Sequence, residues 1–376
     1  MQSAYRPLHS TETAILHLLN NLFCTVGSKR SSVVVALDLT AVFDTISHSH
    51  LLTRLSSDFG ITDCVLGWVE SYLSERTQHV KVGEEISEMT RVHSGVPQGS
   101  VLGPLLFTLY MSPVGRLINS FGIKHQQYAV QYPGLIRSIK HRQLASCTQA
   151  INFWFLANNI QLNPNKTEAI PVGTRQQLDK VLVSSIKVAG ADVQLADRQK
   201  LLGVIVDRQM TLNNQVSEIC RQCNFHIRAL RHVRPTLSHN TAATLACSIV
   251  QSRLDYCNFV FYGMSESNAE KLQTIQNKMA RMVCGGSRLR SSKEMLMTLH
   301  WLPVRSRIKY KLAVLTYKVL NMRQPVYLRD ELSIYEPVRA LRSLGTFQLQ
   351  VPPTSTNIGR RAFRYSAPEI LEHPSI

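Results

Sequence analysis

Asp38 and Asp44 are the acids of Ala36-Leu37-Asp38-Leu39-Thr40-Ala41-Val42-Phe43-Asp44, where a carboxylate closing an apolar run is followed five residues later by an aromatic ring and then a second carboxylate. Clustered carboxylates supply the hard oxygen ligands that Mg2+ prefers. Two divalent ions about 3.5–4 Å apart are a device for phosphoryl transfer, one activating the attacking hydroxyl and one steadying the leaving group. Taken alone, an acid at a strand end reads as a turn or cap residue before it reads as a metal ligand. Ser94-Gly95-Val96-Pro97-Gln98-Gly99-Ser100 adds a glycine-bearing loop in which backbone can approach a nucleotide, although the same residues also suit an ordinary strand-to-helix turn. The stretch from Arg91 to Thr167 contains no Asp or Glu. Inside it, Tyr128-Ala129-Val130-Gln131 offers an apolar side chain and a neutral amide, neither of them a hard anionic ligand for a divalent cation.

These groups need a scaffold. Val33-Val34-Val35-Ala36-Leu37 is a short β-branched run that reads as a buried strand, so Asp38 falls at the carboxyl end of a central strand, a common position for chemistry. Ser10 is placed to cap a helix whose apolar face is Ile15, Leu18, Leu19, Leu22 and Phe23. Leu51, Leu52 and Leu55 mark another helix, and strands over Gln78–Val82 and Met89–His93 flank a hairpin turn at Gly83-Glu84-Glu85. Val101–Met111 is expected to be helical, with Pro104 tolerated in the first turn. A strand is expected near Lys124–Val130, a helix over Leu144–Ala157, and single strands over Lys166–Val172 and Leu201–Asp207, Pro171 weakening the first of these two. Beyond Leu212 the periodicity is mostly helical, and from about Glu331 it weakens among Arg, Pro and Ser residues.

Composition narrows the partners. The 376 residues carry 42 Lys+Arg against 25 Asp+Glu, a formal net charge of +17, which favours polyanions such as nucleic acid or acidic membrane surfaces. Residues 277–376 hold 17 Lys+Arg and 6 Asp+Glu, so the excess is concentrated near the carboxyl end; a solvated basic surface is the plain alternative. No apolar run approaches the roughly 20 residues of a bilayer span, so no membrane insertion is expected. The eight cysteines read as reduced intracellular thiols. Cys220, Cys223 and His226 lie along an apparent helix with no second Cys/His pair at zinc-finger spacing.

In order and spacing the motifs resemble the reverse transcriptase of non-LTR retrotransposons, the long interspersed elements. The resemblance runs from Gln2-Ser3-Ala4-Tyr5-Arg6-Pro7-Leu8-His9-Ser10 through Leu37-Asp38-Leu39-Thr40-Ala41-Val42-Phe43-Asp44 and Ser94-Gly95-Val96-Pro97-Gln98-Gly99-Ser100. It continues in Trp154-Phe155-Leu156-Ala157-Asn158-Asn159, in Leu162-Asn163-Pro164-Asn165-Lys166-Thr167-Glu168 and in Leu202-Gly203-Val204. It extends to Leu254-Asp255-Tyr256-Cys257, Leu299-His300-Trp301-Leu302-Pro303 and Arg361-Ala362-Phe363. It enters midway through the family pattern, which implies an N-terminally truncated form.

The resemblance implies an α+β fold: a right-hand polymerase palm with a split βαβ type sheet, followed by a helical thumb and a basic C-terminal region. Residues 1–210 would form partial fingers and palm, 211–290 the thumb-like region, and 291–376 the basic region. Asp38 would bind catalytic Mg2+, Phe43 would gate against a ribose 2′-hydroxyl, and Gln98 and Gly99 would line the nucleotide pocket. Lys166 would assist pyrophosphate departure. From the residues alone, Phe43 reads equally as core and Lys166 equally as a solvated lysine. RNA template and DNA primer would be the partners; the oligomeric state is not implied. Where the family carries Tyr-Ala-Asp-Asp, this chain has Tyr128, Ala129, Val130 and Gln131, so two of three expected metal ligands are missing and Mg2+ binding is in doubt. Three readings follow: a catalytically defective reverse-transcriptase-like protein, a non-catalytic nucleic-acid-binding remnant, or the product of a decaying element.

Overall fold

The structure is a computed structural model and describes residues 3–128, 132–138, 141–181, 183–188, 190–285, 291–335, 348–354 and 356–372. Ala129, Val130 and Gln131 therefore lie outside the described residues. Packing divides the chain into two compact units, one of Met1–Pro7, Val33–Pro171 and Leu182–Ala196, the other of Leu8–Ser32, Val172–Val181 and Asp197–Ile376. This grouping by packing joins segments distant in sequence.

The first unit is built on a four-stranded sheet of β1 (Ser32–Leu37), β2 (Lys124–Tyr128), β3 (Tyr132–Ser138) and β4 (Glu168–Val172), arranged β4-β1-β3-β2. With helices between β1 and β2 and between β3 and β4, this is the split βαβ arrangement, the α+β sheet that the resemblance implies. Every residue of β1 is buried, as its β-branched run requires at the centre of a sheet. β1 pairs antiparallel with β3 (Val33↔Ser138 to Leu37↔Gly134), and β2 pairs antiparallel with β3 as far as Tyr128↔Tyr132.

The helices His48–Phe59, Leu102–Tyr110, Ser112–Ser120 and His141–Ala157 supply Leu51, Leu55, Phe107, Tyr110, Ile118, Ile151 and Phe155 to the apolar cluster that also takes in β1. Arg54 joins three of them. Its Nη1 donates to Tyr110 O and its Nη2 to Asn158 Oδ1 at 2.8 Å, while Tyr110 Oη donates to Asn158 O at 2.7 Å. The guanidinium lies 4.8 Å from the Tyr110 ring centre and 5.2 Å from that of Trp154. The expected ribbon is present, with Thr77–Gln78 against Thr90–Arg91 and Lys81–Val82 against Glu85–Ile86, and all four strands are exposed.

In the second unit, Ser10 and Thr13 form a reciprocal cap on the Thr11–Gly27 helix, which buries Ile15, Leu18, Leu19, Leu22 and Phe23 as its periodicity requires. One expectation is corrected. Leu201–Asp207 is not a single strand but the end of Arg198–Leu201, a turn, and Val204–Asp207 paired back on it. The turn residues Leu202 and Gly203 both have positive φ (47° and 86°), the requirement of a tight two-residue hairpin, and the apolar run conceals it. Asp207 then accepts from Thr211 N at 2.9 Å and Leu212 N at 2.7 Å, leading into the Asn213–Val233 helix. That helix runs parallel to Glu266–Val283: Asn268 Nδ2 meets Asn213 Oδ1 at 2.8 Å near their starts, and Arg234 Nη2 meets Val283 O at 2.8 Å near their ends. None of the eight cysteines is in a disulfide. Among the described residues, no helix is long and apolar enough to cross a membrane.

Arg54→Ala removes a charge-assisted hydrogen bond, the contact with Tyr110 O and two ring contacts, and leaves acceptors buried. It is expected to cost about 2–4 kcal/mol of stability, read as a lower denaturant midpoint with an unchanged slope.

Candidate active site

Asp38 follows β1 directly, and the chain stays extended through Leu39–Thr40, which pairs antiparallel with Gln161–Leu162. This short pairing brings the Asn163–Lys166 turn alongside Asp38. Asn163 N donates to Asp38 O at 2.9 Å, and the Lys166 N–H reaches Asn163 O at 3.3 Å. The half-buried Asp38 carboxyl is held above the usual carboxylate range because burial penalises its charge; the Lys166 ammonium and the Leu39 N–H oppose that rise. Leu37↔Gly134 and Tyr128↔Tyr132 put Asp38 at the same end of the sheet as the Tyr128–Tyr132 closure.

The Ser94–Ser100 loop is fastened to Phe43–Ile46. Gly95 N donates to Ile46 O at 2.8 Å, Val96 N to Phe43 O at 2.7 Å, and Ser94 Oγ to Asp44 O at 3.0 Å. Gly95 has φ 88°, and a Cβ there would meet Asp44 Cα and Phe43 O at 2.8 Å, so only glycine permits this approach. The loop end is shaped by Ser100, whose Oγ donates to Pro97 O at 2.7 Å and accepts from Gly103 N at 2.9 Å.

This clasp brings together residues the sequence only suggested separately. Gln98 Nε2 lies 3.0 and 3.1 Å from the two Asp44 carboxylate oxygens, so the amide is oriented by the second acid of the motif. The half-buried Phe43 ring packs at a tilt on Phe107, with centres 5.4 Å apart. Gly99 is exposed at φ 80°, with no atom within 4 Å of the position a Cβ would take. Lys166 is exposed beside Asp38. Sequence reasoning missed His48, whose Nε2 lies 2.7 Å from Gly95 O, and the pairing of Asp44 with Gln98. Neither had a local signal, since both contacts depend on the loop's docking.

The residues present do not fit a two-ion centre. Among the described residues no three His, Cys, Asp or Glu side chains converge. Asp44 is engaged by Gln98, and the charged neighbour of Asp38 is a cation. The positions at which the family pattern would place further carboxylates are Val130 and Gln131.

The raised Asp38 pKa has a stability consequence. A folded carboxyl that holds its proton more tightly than the unfolded group, near pH 3.9, makes stability fall as pH rises through that value towards the folded pKa. Asp38→Asn removes this loss. Its melting temperature is expected to match that of the native chain below about pH 3.5 and to exceed it at pH 7; a lower value at pH 7 would contradict the assigned burial effect.

Comparison with known proteins agrees with this geometry. The family model described as "Reverse transcriptase (RNA-dependent DNA polymerase)" matches residues 1–206, more than half of the chain. Similar relatives include the probable RNA-directed DNA polymerases from transposons BS and X-element of Drosophila melanogaster. They are 24% identical over 304 residues and 25% over 295 residues, covering 75% and 76% of this chain. The RNA-directed DNA polymerase from mobile element jockey of the same species is 26% identical over 302 residues. The chain spans about a third of the length of these curated relatives (32% of each). Among solved structures, apo telomerase from Candida tropicalis is similar with a TM-score of 0.39 at 12% identity, covering 85% of this chain and 56% of that one. The matched family model, together with the transposon relatives and the order of motifs on the split βαβ sheet, shows that the chain belongs to the reverse transcriptase (RNA-dependent DNA polymerase) family, of the kind carried by non-LTR retrotransposons.

Proposed function

We propose that this chain is a polymerase-derived protein that binds nucleic acid and does not extend a primer. The carrying observation is the donor set: Asp38 closes β1 beside Lys166, and Val130-Gln131 occupies the position of the family's paired aspartates. An apolar side chain and a neutral amide do not supply the hard anionic oxygens that Mg2+ chemistry on phosphates requires. The loop clasp and β1 survive this loss because neither depends on a carboxylate at 130 or 131.

Nucleic-acid binding has separate support. Ile219–Leu254 contains no Asp or Glu. Arg228, Arg231 and Lys278 are exposed around a cavity of about 270 Å3 shared with Asn224 and Ile227, and none forms an ion pair among the described residues. Such a face suits phosphate backbones, which are recognised by charge without base contacts. RNA template and DNA primer are the partners that family membership suggests.

Primer extension on an RNA template with Mg2+ or Mn2+ tests the catalytic half. The native chain is expected to give no product, and Val130→Asp/Gln131→Asp to recover synthesis. Robust template-dependent synthesis by the native chain would overturn the reading, while failure of both chains would point to loss beyond the missing acids. The binding half is tested by fluorescence anisotropy across salt concentrations. An Arg228→Gln/Arg231→Gln/Lys278→Gln variant is expected to weaken duplex binding and flatten the log–log salt slope by about two to three. A flat salt dependence of the native chain would remove the binding reading.

A further inference from the structure

The Asn213–Val233 helix buries Val216, Ile219, Cys223, Ile227 and Leu230, the 3.6-residue stripe by which it packs. Phe225 falls outside that stripe and is 66% exposed. A single exposed apolar side chain is ordinary, so its surroundings decide whether the ring has a use. Residues three and four apart share a helix face, which puts Arg221 on one side of Phe225 and Arg228 on the other, both exposed. Its neighbours Asn224 and Arg228 line the basic cavity with Ile227, Arg231 and Lys278. The His226 ring meets Phe225 nearly at right angles, with centres 5.3 Å apart, and braces it from the same turn.

The cations around this ring are not equivalent. Arg221 is held by Glu218, Nη2 to Oε1 at 2.7 Å and Nε to Oε2 at 3.0 Å, so it is not available to a ligand. Arg228, Arg231 and Lys278 form no ion pair among the described residues. On the parallel Glu266–Val283 helix, Lys271 and Lys278 both oppose the rise that burial imposes on the Cys220 thiol pKa, so both ammonium groups lie towards the Asn213–Val233 helix. Of the acids on the two helices, Glu218 and Glu266 are paired with Arg221 and Arg305, and Glu270 stands near the start of the second helix. The face beside Phe225 is therefore basic.

A phosphate chain needs only the cations. An exposed phenyl ring among them adds to binding when the ligand has flat apolar faces to lay against it. In a duplex the bases are stacked on one another, whereas an unpaired base offers its face to an aromatic side chain whatever its sequence.

We infer that this face holds single-stranded nucleic acid, with an unpaired base stacked on Phe225 and flanking phosphates on Arg228, Arg231 and Lys278. The inference rests on the nucleic-acid-binding reading above and adds the form of strand that the face recognises. Duplex is bound there by charge alone.

Fluorescence anisotropy of the full chain tests it with four ligands of one length: a DNA strand, an RNA strand, an abasic strand and a blunt duplex. The base-bearing strands are expected to bind about tenfold more tightly than the abasic strand, the size of one stacking contact. Phe225→Ala and Phe225→Leu are each expected to lower single-strand affinity about tenfold and to leave abasic and duplex affinities and the salt slope unchanged. The leucine variant keeps an apolar side chain but has no flat face. A loss confined to DNA or to RNA identifies which strand is stacked.

Circular dichroism checks that both variants are folded, as the exposure of the position leads one to expect. Salt-dependent binding with unchanged single-strand affinity in either folded variant overturns the inference and leaves the nucleic-acid-binding reading standing. So does equal affinity of the native chain for abasic and base-bearing strands, or an equal loss for all four ligands in the variants. A native chain that binds none of them, or binds with a flat salt dependence, removes that reading and the inference with it.

Discussion

Gly95 sits so close to the Phe43–Asp44 backbone that no side chain fits between them, and the candidate active site depends on this approach. At φ 88°, with Asp44 Cα and Phe43 O only 2.8 Å from where a Cβ would be, glycine is required on both conformational and steric grounds. The contact lets Gly95 N reach Ile46 O and Val96 N reach Phe43 O, satisfying backbone groups that a loop would otherwise leave to solvent. From it follow the meeting of Gln98 with Asp44 and of His48 with Gly95. A glycine in this loop is thus part of the site's construction although it contributes no side-chain chemistry.

β1 plays the complementary role for Asp38. A strand buried along its whole length is held in register by its neighbours, so the residue at its end has a defined position without further support. The position carries a cost. Asp38 is drawn partly out of water and its ionised form is disfavoured, with Lys166 and one N–H only partly compensating. A carboxylate kept in such a place suits a ligand for a cation. In this chain the neighbouring cation is a lysine side chain, and the further acids expected of the family are replaced by Val130 and Gln131.

The helical unit solves the problem of buried charge through hydrogen bonding. Asp207 is buried and accepts from Gln209 N, Thr211 N, Thr211 Oγ1 and Leu212 N, turning the hairpin into the Asn213–Val233 helix. Arg361 donates to Met210 O at 2.7 Å and to Tyr262 O at 3.2 Å, and lies 4.6 Å from the Phe23 ring centre. Burial pushes its pKa down to about 10, still far enough above neutrality for the guanidinium to remain charged. Backbone groups satisfy most of both, Thr211 Oγ1 adds to Asp207, and the Asp207 charge supports that of Arg361, so these interior charges organise turns and segment ends.

Much of the framework was legible in the residues themselves. The β-branched run before Asp38 marked a buried strand, Ser10 marked a helix start, and the order of motifs led to the split βαβ sheet, because period, capping and chain order are local properties. The missing acids between Arg91 and Thr167 were likewise a fact of sequence alone. Tertiary structure decided which groups meet. Leu39–Thr40 had to pair with Gln161–Leu162 before Lys166 could act on Asp38, and the loop had to dock before Gln98 could meet Asp44, 54 residues away. The hairpin at Leu202-Gly203 was hidden for a related reason: an apolar run looks the same whether it continues straight or folds back, and only backbone φ values and cross-strand pairing distinguish the two.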